Sequence, residues 1–356
     1  MSDNWTPDVP APLSDDLASC VACGLCLPHC PTFRLTGRET ASPRGRISAM
    51  RAVEDGTGTV DAAFRTMMDE CLACRACEAA CPSGVPFGRM IEGARAQAEP
   101  DRPVAQRTAR RLGLSWTLSR PRAVRALGLG AALANAVGVR RVLPPGLAAV
   151  LPPARLRDAV RPLARSSGAG ESAALLSGCV MDVAYRNVHR ATTRLLTQNG
   201  YRVTPTRPGG CCGALAAHYG QPEAARRMAR ERIAEIGDAQ LVVVNAAGCS
   251  GHMKAYGELL ADDPAWAPAA HRVAARVQDL LELDLDVRER HLGPIAVHDA
   301  CHHLHAQGIE PRPLLRAAGA ETVDLGDDGR CCGAAGLYGL LEPEQAEELR
   351  RAKSEA

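Results

Sequence analysis

Aromatic side chains are scarce in this 356-residue chain; phenylalanine, tyrosine and tryptophan together make up 3% of it. A core must then be assembled mainly from alanine, leucine and valine, without the large area that each ring buries. Lysine is nearly missing, since only Lys254 and Lys353 among 42 basic residues are not arginine. That bias reads as coding composition rather than chemistry. Forty acids bring the formal charge to +2, which excludes a strongly electrostatic nucleic-acid binder on global grounds. No run reaches 18 uncharged apolar residues, and the nearest, 126–139, is too short to span a bilayer. The polar start, Met1-Ser2-Asp3-Asn4, has neither a basic nor an apolar targeting region. The expectation is a cytoplasmic chain. Nucleotide and hydrolase signatures are missing as well: no Walker loop, no G-x-S-x-G, no H-E-x-x-H. Gly128-Leu129-Gly130-Ala131 lacks the third glycine of a dinucleotide fingerprint and follows an arginine-rich helical stretch, not a strand. With no flavin or NAD site expected on this chain, a hydride cannot easily be taken from an organic substrate. Single electrons remain.

What the chain does have is cysteine, fifteen of them, in a compartment where disulfides do not persist. Their positions divide it. Residues 1–100 hold eight, 101–170 hold none, and seven follow at wide spacing. The first eight spell C-x2-C-x2-C-x3-C-P twice, at Cys20, Cys23, Cys26, Cys30 and at Cys71, Cys74, Cys77, Cys81. Two-residue gaps let one loop wrap three corners of a cubane, and the proline breaks the helix at the fourth cysteine. In two-cluster ferredoxins that fourth cysteine serves the other cluster. The spacing therefore assigns Cys20, Cys23, Cys26 and Cys81 to one [4Fe–4S] cluster and Cys71, Cys74, Cys77 and Cys30 to a second. Two zinc sites or a disulfide knot are the competing readings, but structural zinc takes paired knuckles rather than triplets with a remote fourth.

Beyond residue 170 the pattern repeats. An apolar run at 173–176 leads to Cys179, a helical stretch ends at Gly200, a short strand follows at 201–203, and Cys211-Cys212-Gly213 comes next. The run Leu241 to Val244 has the character of a buried strand and precedes Cys249. The order restarts at 294–297; Cys301 follows Cys179 by 122 residues, and Cys331-Cys332-Gly333 follows the first such triplet by 120. A tandem duplication of an α/β unit is the reading. Ligand sites of open α/β sheets lie at the carboxyl ends of strands, so Cys179, Cys211, Cys212 and Cys249 are expected to converge on a further cluster. Cys301, Cys331 and Cys332 are the corresponding set; inert buried cysteines are the alternative for both. The expected architecture is α-rich α+β: a helical dicluster ferredoxin domain (1–100), an arginine-rich helical linker (101–170), and two cysteine-rich units (171–290 and 291–356). Thirty-seven residues separate Cys212 from Cys249, and the same step from Cys332 falls beyond Ala356, so the second unit is expected to be incomplete.

Three further features have two readings each. From Arg102 to Arg165 the linker holds thirteen arginines and one acid, Asp158, with apolar residues at helical spacing (Val124, Leu127, Leu129, Leu133, Val137). Packed amphipathic helices are expected, with an anionic membrane surface or acidic partner as the alternative. Arg44 and Arg46, in Ser42-Pro43-Arg44-Gly45-Arg46-Ile47, either tune a cluster or are a solvated pair at a helix start. His298, His302, His303 and His305 around Cys301 are expected to be hydrogen-bonded loop residues rather than metal ligands or proton carriers.

A dicluster module followed by two cysteine-rich modules resembles the iron–sulfur subunit of glycolate oxidase (glycolate dehydrogenase). The likeness covers nearly the whole chain, including Asn245-Ala246-Ala247-Gly248-Cys249, Ala255-Tyr256-Gly257-Glu258 and His298-Asp299-Ala300-Cys301-His302. Its motifs are shared with heterodisulfide reductase, anaerobic glycerol-3-phosphate dehydrogenase and lactate-utilisation proteins. One departure stands out: Cys249 is followed by Ser250-Gly251-His252, so the second cysteine of the family's C-x-x-C ending is missing. The resemblance implies FAD-containing partner subunits that oxidise glycolate and electron relay towards a quinone at the membrane. It places this chain in the cytoplasm or peripherally on the inner face of the cell membrane. The alternative it leaves is a reductase subunit in which a cysteine-rich site itself acts on a disulfide.

Overall fold

The computed structural model describes residues 4–143, 154–326 and 329–355. The proline pairs at 144–145 and 152–153 lie outside them. The N-terminal module is helical. Ser42 caps the Pro43–Glu54 helix, its hydroxyl accepting from Gly45 N at 2.9 Å, and Pro43 occupies the first turn where no N–H is needed. Asp61 caps Ala62–Asp69 in the same way through Phe64 N. These two helices and Phe87–Ala98 enclose Trp5, Met50, Phe64, Met68, Phe87 and Met90. The expectation of an alanine–leucine–valine core fails in this module. A small body wrapped around two cysteine loops has irregular gaps, and flexible methionines with the few available rings fill them.

The first cysteine-rich unit is an open parallel sheet of four strands, β1 (Glu171–Leu175), β2 (Tyr201–Pro205), β3 (Leu241–Val244) and β4 (Val277–Asp279), in the order β2-β1-β3-β4. Ala173 stands opposite both Val203 and Leu241, so β1 and β3 are central. All four residues of β3 are buried, as a strand covered on both faces requires. The helices Arg186–Gln198 and Pro222–Ile236 make the crossovers. The second unit repeats the beginning of this plan, with β5 (Gly293–Ala296) parallel to β6 (Ala320–Val323). Gly200 and Gly319 enter β2 and β6 with φ of 82° and 85°, a turn that favours glycine. No counterparts of β3 and β4 occur among the described residues of the second unit.

The linker forms the helix Val104–Arg110, a π-helical stretch Arg111–Thr117 and the helix Pro121–Ala136. Only part of the packing expectation survives. Of the five apolar residues at helical spacing, Val124 is buried; Leu127, Leu129, Leu133 and Val137 are exposed. The buried face carries Gly128, Ala131 and Ala132 instead. The reason is steric, because a Cβ on Gly128 would lie 2.4 Å from Val183, and a leucine face could not come so close. Among the described residues no helix is long and apolar enough to cross a membrane.

Some of the arginines are structural. Arg46, Arg95, Arg102, Arg186 and Arg232 are buried. Arg95 binds the carbonyls of Met68 (3.0 Å), Cys71 (2.5 Å) and His218 (2.7 Å), tying the dicluster module to the first unit. The second unit docks on the same module through Leu72, Tyr338, Ala346 and Leu349, and the Tyr338 hydroxyl donates to Glu70 O at 3.2 Å.

Candidate metal centres

Both cysteine loops carry the same backbone signature. Ala22 and Ala73, inside the first gaps, have φ of 56° and 52°; Gly24 and Arg75, opening the second gaps, have 84° and 63°. The left-handed region is costly for alanine and arginine, and such strain persists where the loop has a task that its surroundings enforce. Alternating handedness turns backbone N–H groups inward, which favours an anion. Ala73 N donates to Cys71 Sγ at 3.3 Å, and the Arg44 N–H donates to Cys26 Sγ.

Each loop lines a cavity. One is walled by Cys20, Cys23, Cys26 and Cys81, with Cys77 also in its lining. The other is walled by Cys30, Cys71, Cys74 and Cys77. Each fourth cysteine therefore faces the triplet of the other run. No carboxylate lines either cavity; Arg44 borders the first, and Arg46 and Arg75 border the second. Four thiols, inward N–H donors and cations fit an anionic iron–sulfur cluster in each. Burial, then the neighbouring thiols Cys74 and Cys71, pushes the Cys77 thiol up. Burial and Cys301 do the same to Cys74. Metal binding at these sites must therefore displace protons.

The two arginines between the runs divide the earlier alternatives. Arg44 pairs with Glu39 at 2.7 Å and reaches Ala22 O at 3.4 Å beside the first cavity. Arg46 is not solvated at all. At 1% exposure, it donates to Met67 O (2.6 Å), Ala41 O (2.8 Å) and Thr32 Oγ1 (3.4 Å).

In the first cysteine-rich unit, hydrogen bonds link Cys179 to Cys211, Cys211 to Cys212, and Cys212 to Cys249. The bond from Cys179 favours the Cys211 thiolate, but the bond to Cys212 and burial prevail and push it up to about 12. Gly213, at φ 97°, donates to Cys211 Sγ at 3.4 Å; Gly333, at φ 70°, repeats this with Cys331. In the second unit Cys301 and Cys331 share a hydrogen bond that lowers the Cys301 thiol and raises Cys331. Cys332 follows on the loop and makes no hydrogen bond to either among the described residues. Cys301 and Cys331 line a cavity of about 530 Å³ whose wall also contains Cys74, so this unit faces the second thiol quartet. Among the described residues no three His, Cys, Asp or Glu side chains gather closely enough for a single metal ion. A multi-iron cage spreads its ligands more widely, and none of the fifteen cysteines is in a disulfide.

Two of the four histidines around Cys301 are seen to be hydrogen-bonded, and three of the four sit on the Cys301–Gln307 helix rather than on a loop. His302 Nε2 meets Ala73 O at 2.9 Å and His303 Nε2 meets Asp279 at 2.8 Å, while His298 and His305 line the large cavity. Sequence reasoning missed a second group, Glu92, His218 and His252, brought together from two units. His218 Nδ1 lies 2.5 Å from Glu92 Oε1, and burial lowers His252 to about 4. The one available signal was the position of His252, three residues after Cys249.

Comparison with known proteins finds two matching families. A family described as "4Fe-4S dicluster domain" matches residues 16–85, and one described as "Cysteine-rich domain" matches 173–254 and 295–356. The "Probable glycolate oxidase iron-sulfur subunit" of Bacillus subtilis (strain 168) is 33% identical over 96% of this chain and 84% of its own length. The chain belongs to the glycolate oxidase iron–sulfur subunit family. The Escherichia coli (strain K12) member is 34% identical over the same shares. "Lactate utilization protein A" of Geobacillus kaustophilus (strain HTA426) is 28% identical over only 48% of the chain and 75% of its own length. No solved structure matches. As a family member the chain is an iron–sulfur protein, a helical dicluster module followed by cysteine-rich α/β units.

Proposed function

We propose that this chain is the electron-transfer subunit of a flavin-dependent glycolate (2-hydroxy acid) dehydrogenase, taking electrons from FAD-containing partner subunits and passing them towards a quinone. The ligand sets are Cys20, Cys23, Cys26 and Cys81 for one [4Fe–4S] cluster, and Cys71, Cys74, Cys77 and Cys30 for the other. When bound, such clusters supply one-electron steps. The observation that carries this reading is the wall shared by both thiol quartets: Cys77 lines both cavities, and Cys74 faces Cys301 and Cys331 across a third. Cysteines of three sites thus follow one another without an intervening layer of protein. The surrounding residues act on charge: Arg44, Arg46, Arg75 and the inward N–H groups favour thiolate and hold the loops in shape. Functionally, residues 1–100, 101–170, 171–290 and 291–356 serve as relay, docking linker and two cysteine-rich units. The linker, with its exposed Leu127, Leu129 and Leu133 among arginines, suits peripheral contact with the inner face of the cell membrane.

One observation favours the rival reductase reading, namely that the lowered Cys301 thiol opens on the large cavity beside Cys331. Anaerobic purification of the native complex separates the two. Stoichiometric FAD and glycolate-dependent bleaching of the iron–sulfur absorbance support the proposal. A flavin-free preparation in which the lone chain reduces a disulfide refutes it.

A further inference from the structure

Four elements meet where the dicluster module touches both cysteine-rich units, and they bring Glu92, His218, His252 and His302 together. The His218 ring lies 6.0 Å from that of His252 and 5.3 Å from that of His302, centroid to centroid. His302 has a partner in Ala73 O, and His218 has one on Nδ1 in Glu92, but its Nε2 is buried without one. Of the two rings with an orphaned Nε2, His252 is the one set against the cysteine loop. It is 8% exposed, and its Nε2 is buried with no hydrogen-bond partner. A buried polar atom left without a partner is destabilising and in native proteins points to something that completes it.

The surroundings of that nitrogen say what. It abuts Gly213, where a Cβ would stand 3.4 Å from it. Gly213 closes the Cys211-Cys212-Gly213 loop, and its N–H holds Cys211 Sγ. On the Ala247–Lys254 helix His252 is three residues from Cys249, on the same face, and the Cys249 thiol is hydrogen-bonded to that of Cys212. Tyr256 packs edge-on against the ring at 5.6 Å and donates its hydroxyl to Cys212 O at 2.6 Å, which pins the imidazole against the cysteine loop.

We infer that His252 is a nitrogen ligand of the iron–sulfur cluster held by the first cysteine-rich unit, alongside Cys211, Cys212 and Cys249. This rests on the reading that the unit holds a cluster. A neutral imidazole in place of a thiolate removes one negative charge from the coordination and raises the potential, as it does in Rieske centres. The first unit would then be the more oxidising end of the relay.

The test uses the full chain, reconstituted anaerobically with ferrous iron and sulfide, with natural or 15N-labelled histidine. Pulsed EPR on the partly reduced protein should show a strongly coupled nitrogen that changes with the label. His252→Ala should abolish that coupling and lower the iron content. His252→Cys should keep the iron, lose the coupling and shift the midpoint potential downwards. His218→Gln should leave the coupling in place. If the coupling survives in His252→Ala, or follows His218 instead, the assignment is overturned. Cys212→Ser separates the two levels. Unchanged iron in that variant means the unit holds no cluster, which overturns the underlying reading and this one with it. Lost iron without any nitrogen coupling in the unmutated protein overturns the histidine alone.

Discussion

Replacing Arg46 by methionine should release one cluster and spare the other. Methionine keeps the apolar length of the stem, so the change removes the guanidinium without opening a large hole. Three acceptors feel its loss. Ala41 O and Thr32 Oγ1 still have each other at 2.6 Å, whereas Met67 O loses a 2.6 Å charged donor in a dry environment. An orphaned buried carbonyl costs about 1–3 kcal/mol, and bonds to a charged group contribute about 1.5–3 kcal/mol each. Removing a buried charge returns part of this, because its desolvation penalty vanishes. The balance is a loss of about 2–3 kcal/mol, or a melting point roughly 3–4 °C lower at this size. The loss is local in its consequence. Cys30 Sγ is held by Thr32 Oγ1 at 3.3 Å and by Ala41 O at 3.6 Å, the two groups that Arg46 braces. Iron analysis after anaerobic reconstitution should fall from about eight irons in the dicluster module towards four. EPR should retain the signal of the Cys20–Cys23–Cys26–Cys81 set. Arg46→Lys should not rescue, since an ammonium lacks the planar fork that reaches two carbonyls and a hydroxyl together. Full iron and an unchanged melting point in Arg46→Met, or loss of both signals together, would refute the reasoning.

Cys81→Ser and Cys74→Ser should each remove a different cubane signal, and freshly reconstituted protein holding two irons or fewer would sink the dicluster assignment. Flotation with anionic liposomes should occur at low salt and fade as salt is added; Leu127→Glu with Leu133→Glu should abolish it, and salt-independent binding would contradict the arginine-based docking. Gly128→Val should cost about 1–3 kcal/mol in thermal unfolding through overlap with Val183, more than the helix propensity returns, so an unchanged or raised melting point would disprove the close approach. Buried His189 presents Nε2 to Ser177 O at 2.8 Å and meets Asn245 Nδ2 at 3.3 Å through Nδ1, and burial holds it below the usual histidine range. Its contribution is thus complete above about pH 6.5 and is lost as pH falls towards its lower folded value; His189→Gln should flatten the acid limb of a stability–pH curve, and an identical limb would count against it.

Much of the fold was legible because its signals are local. Leu241 to Val244 reads as a buried strand by composition alone, and the paired glycines before β2 and β6 mark matching turns. The duplication was legible for the same reason, from near-equal steps of 122 and 120 residues between like cysteines. Faces were harder to read. The leucines of Pro121–Ala136 have good helical spacing, yet the contact goes to Gly128, whose value depends on Val183 arriving from elsewhere in the chain. Arg46 and Arg95 look like any other surface arginine until the carbonyls that meet them are in place. His252 gains its meaning only from Gly213, 39 positions earlier in the sequence and adjacent in space.

The docking of Tyr338 on Glu70, 268 residues away in sequence, bears on how the protein is made. The Cys71–Cys77 loop leaves the ribosome early, but Leu72 beside it is covered only when Tyr338 and Leu349 arrive. Iron and sulfide can therefore reach that loop from the open side throughout translation of both α/β units. A site that is partly walled by a segment 268 residues downstream is in this way easiest to fill before that segment docks.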